Sequence, residues 1–312
     1  MDYKKFIKSR RLRLSILRMF SWLPDEMMLK LQYRIKMGRK LNLHHPMRYT
    51  EKVQWYKLNY KDPVMIQCVD KYDVREYIKE KGLENILNEC YAVYDSADDI
   101  DFDALPNQFV MKNTLGMGGT SVVICKDKKS ADLETLRKTA NDWIREGAKK
   151  TGGLEWPYYS GKKPRIIFER YLDPGIEQGL IDYKFMCFDG KPVYCFYLCD
   201  RDLGVSVKEG ICDDKLNMLP YSEIGDVRPD NILIPKNYQK MLEIASVLSK
   251  DFPHVRVDLY NIKGSVVFGE LTFFDASGYG QYDPDEFDFI LGSHFLIRAE
   301  GNEQLKEISE LI

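Results

Sequence analysis

Asp258 and Glu270 are the two carboxylates best placed to do chemistry, because each sits in a run that alternates polar and apolar residues around a short turn signal, Ile262-Lys-Gly264. A three-residue loop there, with Gly264 left-handed, sets Arg256 opposite Glu270 and Asp258 opposite Phe268 and makes the two carboxylates diagonal neighbours. Arg256, Asp258, Glu270 and Thr272 then share one face, and Val255, Val257, Leu259, Val267, Leu271 and Phe273 fill the other. Two hard oxygen ligands on rigid strands suit Mg²⁺, which takes one or two carboxylates and completes its shell with phosphate oxygens and water. A cross-strand ion pair between Arg256 and Glu270 explains the same residues equally well.

Two further groups carry charge suited to phosphate. Phe109-Val-Met-Lys112 is an apolar strand ending in lysine, followed by Asn113-Thr-Leu-Gly-Met-Gly-Gly-Thr120 and a second apolar strand. The loop joins strand to strand, unlike phosphate loops that run into a helix N-terminus. Gly116, Gly118 and Gly119 allow backbone N–H groups to close over a polyphosphate beside the Lys112 charge, and a plain flexible hairpin accounts for them too. The segment from Asp182 to Arg201 turns at Asp189-Gly190; an unbroken two-residue hairpin places Asp182, Lys184 and Arg201 on one face, where two cations could stabilise a transferred phosphoryl group. Exposed strand cations are the alternative.

These residues need strands to hold them, and the apolar pattern supplies them at Phe109 to Lys112, Ser121 to Cys125, Arg165 to Glu169, Asp182 to Phe188, Val193 to Cys199, Val255 to Tyr260 and Ser265 to Phe274. Helices are expected near Asp132 to Lys149 and Lys236 to Lys250, from Asp70 to Gly82, and behind Thr50 as cap for Val53, Trp55 and Leu58. Hairpins interrupted by single helices indicate an α+β architecture.

Composition limits the class. The 312 residues carry a formal net charge of −2 with 44% apolar and 12% aromatic residues, which excludes a disordered or low-complexity chain. Residues 1–40 hold twelve Lys/Arg against three Asp/Glu, and the remainder is acidic by eleven charges. Phe6, Ile7, Leu14, Ile16, Leu17, Met19, Phe20 and Trp22 recur among those charges with a loosely helical period, as in a helix lying on an anionic membrane or a partner protein, or in one packed on the rest of the chain. No run approaches the roughly 18 to 20 apolar residues of a membrane-spanning helix, and the N-terminus lacks a signal-peptide pattern, so a cytoplasmic protein is expected. The seven cysteines are odd in number without a C-x-x-C pair, which fits buried free thiols, and the four histidines lack metal-ligand spacing.

In chain order, Val69-Asp-Lys-Tyr72, Phe109-Val-Met-Lys112 with its glycine loop, Phe168-Glu-Arg-Tyr-Leu172, Asp182-Tyr-Lys184, Arg256-Val-Asp258 and Gly269-Glu-Leu-Thr272 resemble the ATP-grasp superfamily over most of residues 45–292. His45-Pro-Met-Arg-Tyr-Thr-Glu-Lys-Val-Gln-Trp55 and Gly269-Glu-Leu-Thr-Phe273 resemble its TupA-like branch, associated with bacterial polysaccharide and teichuronopeptide synthesis. The resemblance implies an ATP-grasp fold, two α+β lobes clamping ATP, with a basic N-terminal helical module over 1–65, a preceding segment over 66–105, a small lobe over 106–172 and a large lobe over 173–312.

It further implies that Lys71 and Lys112 contact phosphates, that Gly116, Gly118 and Gly119 close over them, and that Glu169 and Tyr171 offer backbone groups to adenine. Glu177 would contact ribose and Lys184 the terminal phosphates; Asp258, Glu270 and Thr272 would hold Mg²⁺, with Thr272 where many relatives carry asparagine. Arg201 and Arg256 would face the transferred phosphate. The implied activity is a carboxylate–amine ligase that uses ATP and Mg²⁺ to make an acyl-phosphate of a sugar acid or polysaccharide precursor and an amide from an amine donor. A kinase acting on a sugar or polyol and a catalytically silent ATP-binding assembly protein are the alternatives. No nucleic-acid partner is expected, and Asp202-Leu-Gly204 without a His-Arg-Asp loop argues against a protein kinase.

Overall fold

The structure, a computed structural model, describes residues 22–117, 119, 121–147, 153–202 and 206–297, without the side chains at 201 and 202. Most of the basic N-terminal stretch, Gly118, and the side chain of Arg201 therefore lie outside the described residues.

Alternation along Phe109–Asn113 buries Phe109, Met111 and Asn113 and turns Val110 and Lys112 to the opposite face. This strand, β2, lies in an antiparallel sheet with β1 (Cys90–Tyr94), β3 (Val122–Cys125) and β4 (Ile166–Glu169), in the order β1-β4-β2-β3. Phe109, Met111, Ile166 and Phe168 pack with Leu136 and Ala140 of helix α5 (Leu133–Glu146) and with Ile100 and Phe102. Asp132 caps α5 by accepting from the Thr135 amide at 3.0 Å.

The second sheet is also antiparallel and has five strands in the order β10-β9-β5-β6-β7: β5 Asp182–Phe188, β6 Lys191–Asp202, β7 Ser206–Asp213, β9 His254–Ile262 and β10 Ser265–Thr272. Helix α6 (Tyr238–Ser249) presses Met241, Ile244, Ala245 and Leu248 into the core behind it. Beyond β7, the short pair β8 (Ser222–Glu223) and β11 (Tyr282–Asp283) crosses the flank with helix α7 (Glu286–His294). The expected strands are present; β1 and β7 were not expected, and the helix expected from Asp70 is a turn followed by α4 (Val74–Glu80), which ends before left-handed Gly82.

Helix α2 (Tyr49–Asn59) corrects the expected cap. Glu51 accepts from the Met47 and Arg48 amides at 3.1 and 3.3 Å, whereas the Thr50 hydroxyl donates to Asp288 at 2.8 Å. Tyr49, Val53 and Tyr56 of α2 join the large-sheet core, as do Val74, Tyr77 and Ile78 of α4. Helix α1 (Asp25–Met37) forms a separate small core through Met28, Leu29, Tyr33 and Met37 with Leu41 and Leu154. No helix among the described residues is long and apolar enough to cross a membrane.

Candidate active site

Two registers differ from expectation, and both differences shape the site. The β9–β10 turn contains two residues, Lys263 and Gly264, both with positive φ (52° and 87°), so the strands start with Ser265 opposite Ile262. That register alone would send Glu270 to the face opposite Asp258. A bulge at Gly269 inserts one residue and restores the parity, so Glu270 pairs directly with Asp258 and Thr272 with Arg256. The expected diagonal relationship is thus replaced by a direct one. In the β5–β6 hairpin a bulge between Met186 and Cys187 acts the other way: Lys184 pairs with Phe196 and Asp182 with Leu198, one residue off the expected register, and a second bulge between Cys199 and Asp202 shifts the strand back around position 201.

Lys184 also stands opposite Asp258 across β5–β9. Its ammonium bonds to Asp258 and lies 2.8 Å from Asp182. Arg256 forks over the same carboxylate, with Nε 2.7 Å from Asp258 Oδ1 and an Nη 2.7 Å from Oδ2; it also reaches Glu270 at 3.0 Å, Thr272 Oγ1 at 3.1 Å and the Asp275 carboxylate. Burial opposes ionisation of Asp258, yet Arg256 and Lys184 outweigh it and hold its pKa below the usual aspartate value. Burial and Arg256 likewise oppose the Lys184 ammonium, and Asp182, Asp258 and Glu270 raise it above the usual lysine value. Asp182 is pushed up by burial and by the Asp258 charge.

The donor set fits Mg²⁺. Asp182, Asp258, Glu270 and Asp275 place four carboxylates around Lys184 and Arg256, leaving an excess of negative charge and only hard oxygen donors. Asp258 is 1% exposed with both oxygens bonded, whereas the Glu270 side chain is 40% exposed. Glu270 and Thr272 therefore offer the more accessible oxygens and would hold the ion, with Asp258 behind them. The Arg256–Glu270 ion pair that competed with the metal reading is present.

On the small sheet, Lys112 and Glu169 share the face turned away from that lobe's core, and Lys112 Nζ lies 2.6 Å from Glu169 Oε2, with Arg75 at 3.9 Å from its other oxygen. Below the glycine loop the Lys71 amide donates to the Thr114 carbonyl at 2.9 Å and its ammonium bonds to the Gly116 carbonyl. Burial pulls the Lys71 pKa down, and Glu270 is the strongest charge opposing that fall, which places Lys71 between the loop and the carboxylates of the large sheet. Gly116 is required where it stands: a Cβ would lie 2.5 Å from Ser121 Cβ. Gly119 takes φ 68° in the same loop. Tyr171 lies under Lys126, whose ammonium is 5.8 Å from the ring centre, and Glu177 is exposed in the segment joining the lobes.

Sequence reasoning missed Asp275, Arg75 and three carboxylates, Glu209, Glu223 and Asp226, whose oxygens lie within 4.8 Å of one another. No polar–apolar alternation marks β7, because Lys208 and Glu209 are consecutive charges and Glu209 falls on the same parity as Val207 and Ile211.

In architecture the chain is similar to an L-amino acid ligase from Bacillus licheniformis, with a TM-score of 0.49 and 14% identity over 82% of this chain and 58% of that one. It is also similar to a D-alanine–D-alanine ligase from Bacillus anthracis, with a TM-score of 0.42 and 15% identity over 66% of this chain and 57% of that one. The chain thus spans less than two thirds of the length of either enzyme. No curated protein sequence matches it. The pattern of conserved positions that defines the TupA-like ATPgrasp family matches residues 51–296, and the chain belongs to that family.

Proposed function

We propose that the protein is an ATP- and Mg²⁺-dependent carboxylate–amine ligase of bacterial surface polysaccharide biosynthesis, joining a sugar-acid or polysaccharide-precursor carboxylate to an amine through an acyl-phosphate. The observation that carries this reading is the network of Lys184, Arg256, Asp258 and Glu270 on one sheet face, cations and carboxylates with no serine or cysteine nucleophile among them. Such a group works by positioning and by stabilising charge on a transferred phosphoryl group. Mg²⁺, held by Glu270 and Thr272 with Asp258 behind, would neutralise phosphate oxygens.

Lys112 and Lys71 offer point charges to the nucleotide phosphates beside the loop of Gly116, Gly118 and Gly119; Glu169 and Tyr171 place backbone groups at adenine, and Glu177 is the ribose contact. Arg256 and Arg201 hold the phosphate as it transfers, and Lys184 bears on its terminal oxygens. TupA-like membership supports the assignment to polysaccharide synthesis.

The test follows the phosphate. A screen of sugar acids and amines for ATP consumption identifies the pair. Oxygen-18 in the acceptor carboxylate is then expected in free phosphate formed in equal amount to ADP, and hydroxylamine in place of the amine is expected to yield a hydroxamate. ADP formation with a stable phosphorylated acceptor, and neither free phosphate nor hydroxamate, would show a phosphotransferase instead.

A further inference from the structure

The sheet face that carries Lys184 continues past it. Asp182 pairs with Leu198 and Leu198 with Glu209, so Glu209 projects from the same face two strands away, about 9–10 Å from Asp182 along the sheet. The segment after β7 folds back along it: the Glu209 amide donates to the Val227 carbonyl at 2.9 Å, which brings Glu223 and Asp226 beside Glu209. Carboxylate oxygens of these three residues lie within 4.8 Å of one another.

A second observation concerns Tyr282. It is 3% exposed, and its hydroxyl is buried without a hydrogen-bond partner among the described residues, as is Glu209 Oε1. Tyr282 pairs directly with Glu223, so the two side chains leave the strands on the same side, and its ring lies 6.5 Å from that of Phe196, the residue opposite Lys184. A Cβ at Gly280 would lie 3.1 Å from the Tyr282 hydroxyl and 3.4 Å from Glu223 Oε1, which places that oxygen and the hydroxyl around one small space. Unpaired buried acceptors of this kind are rare and cost free energy unless a ligand satisfies them.

We propose that Glu209, Glu223, Asp226 and the Tyr282 hydroxyl form a cup for the primary ammonium of the amine substrate, an inference that rests on the ligase reading. An ammonium nitrogen donates along tetrahedral directions to oxygens about 2.8 Å away, so three acceptors around it stand roughly 4.6 Å apart. The three carboxylate oxygens all lie within 4.8 Å of one another, close enough for one ammonium to bridge them. A Mg²⁺ ion with oxygens at about 2.1 Å would draw them to roughly 3 Å. Burial, with the charges of Asp226 and Asp275, pushes Glu209 up to about 8 against Lys184 and Arg256, and burial, with the charges of Glu209, Asp275 and Asp226, pushes Glu223 up to about 9 against Arg256. A cation held by these carboxylates would lower both and displace their protons. Asp275 bonds to Arg256 and so links the cup to the phosphoryl-transfer network.

The full chain is titrated with ethylammonium, with tetramethylammonium, which has the same charge and no N–H donor, and with Mn²⁺, by saturation-transfer NMR and calorimetry. Ethylammonium is expected to bind and tetramethylammonium not to. Glu223→Gln is expected to weaken ethylammonium at least tenfold, and Tyr282→Phe, which keeps the ring, several-fold, with ATP affinity unchanged in both. Absence of ethylammonium binding, equal binding by both variants, or Mn²⁺ taking the cup in preference would overturn the inference. ATP titration of the unmodified chain separates the two claims: failure there removes the ligase reading, whereas ATP binding without ethylammonium binding removes the cup alone.

Discussion

Glu270 stands directly opposite Asp258 across the β9–β10 pair, and it does so because the strand bulges at Gly269. A Cβ at residue 269 would lie 2.9 Å from the Asp258 carbonyl oxygen and 3.3 Å from Asp258 Cβ, so only glycine lets the bulge close against the carboxylate it positions.

Gly269→Ala should therefore force β9 and β10 apart at the site. The expected cost is about 1–3 kcal/mol of stability, typical of overpacking, with a larger proportional loss of turnover than of folded protein. Urea denaturation and ATP-consumption assays measure the two; turnover retained in a destabilised variant would show that the bulge does not set the carboxylate geometry.

Asp258 and Glu270 should separate cleanly by mutation. Glu270→Gln removes a half-exposed partner while Arg256 keeps Asp258 and Asp275, so thermal stability should change little and Mg²⁺-dependent turnover should vanish. Asp258→Asn leaves Lys184 and Arg256 short of a buried counter-charge and should cost about 3–5 kcal/mol. Calorimetric melting and Mg²⁺ titration of activity check both; a Glu270→Gln variant that loses its fold but keeps metal dependence would make Glu270 a structural ion pair.

Lys112→Ala should weaken ATP binding by about 1.5–3 kcal/mol, roughly ten- to hundredfold, the usual worth of a hydrogen bond to a charged group. Its partner Glu169 keeps Arg75 within 3.9 Å, so the fold should survive. Unchanged calorimetric affinity in a folded variant would remove Lys112 and its loop from the nucleotide site.

Acid should destabilise the protein through His254. The ring is buried, with Nε2 2.9 Å from the Tyr49 hydroxyl and Nδ1 2.9 Å from the Cys187 carbonyl, and burial pushes its pKa down to about 4. The unfolded chain takes up this proton near pH 6.5 while the folded chain stays neutral. Its contribution is complete above pH 6.5 and falls by about 1.4 kcal/mol per unit as pH drops toward 4. Urea midpoints between pH 7 and 4.5 should decline more steeply for the unmodified chain than for His254→Gln; equal slopes would place the acid sensitivity elsewhere.

The sequence alone determined the strands that carry Lys112, Lys184, Arg256, Asp258 and Glu270, because side-chain alternation and glycine turns are local properties of the chain. The ordered motifs also carried the family assignment. Only the tertiary structure decided which residues meet. Each bulge shifts every later residue of its strand to the other face, and bulges are set by contacts between strands: the one at Gly269 kept Glu270 with Asp258, and the one at Met186 and Cys187 realigned Lys184 with Phe196. The cup of Glu209, Glu223 and Asp226 joins strand β7 to a later segment through a backbone hydrogen bond to Val227, a contact that no spacing within either stretch prescribes.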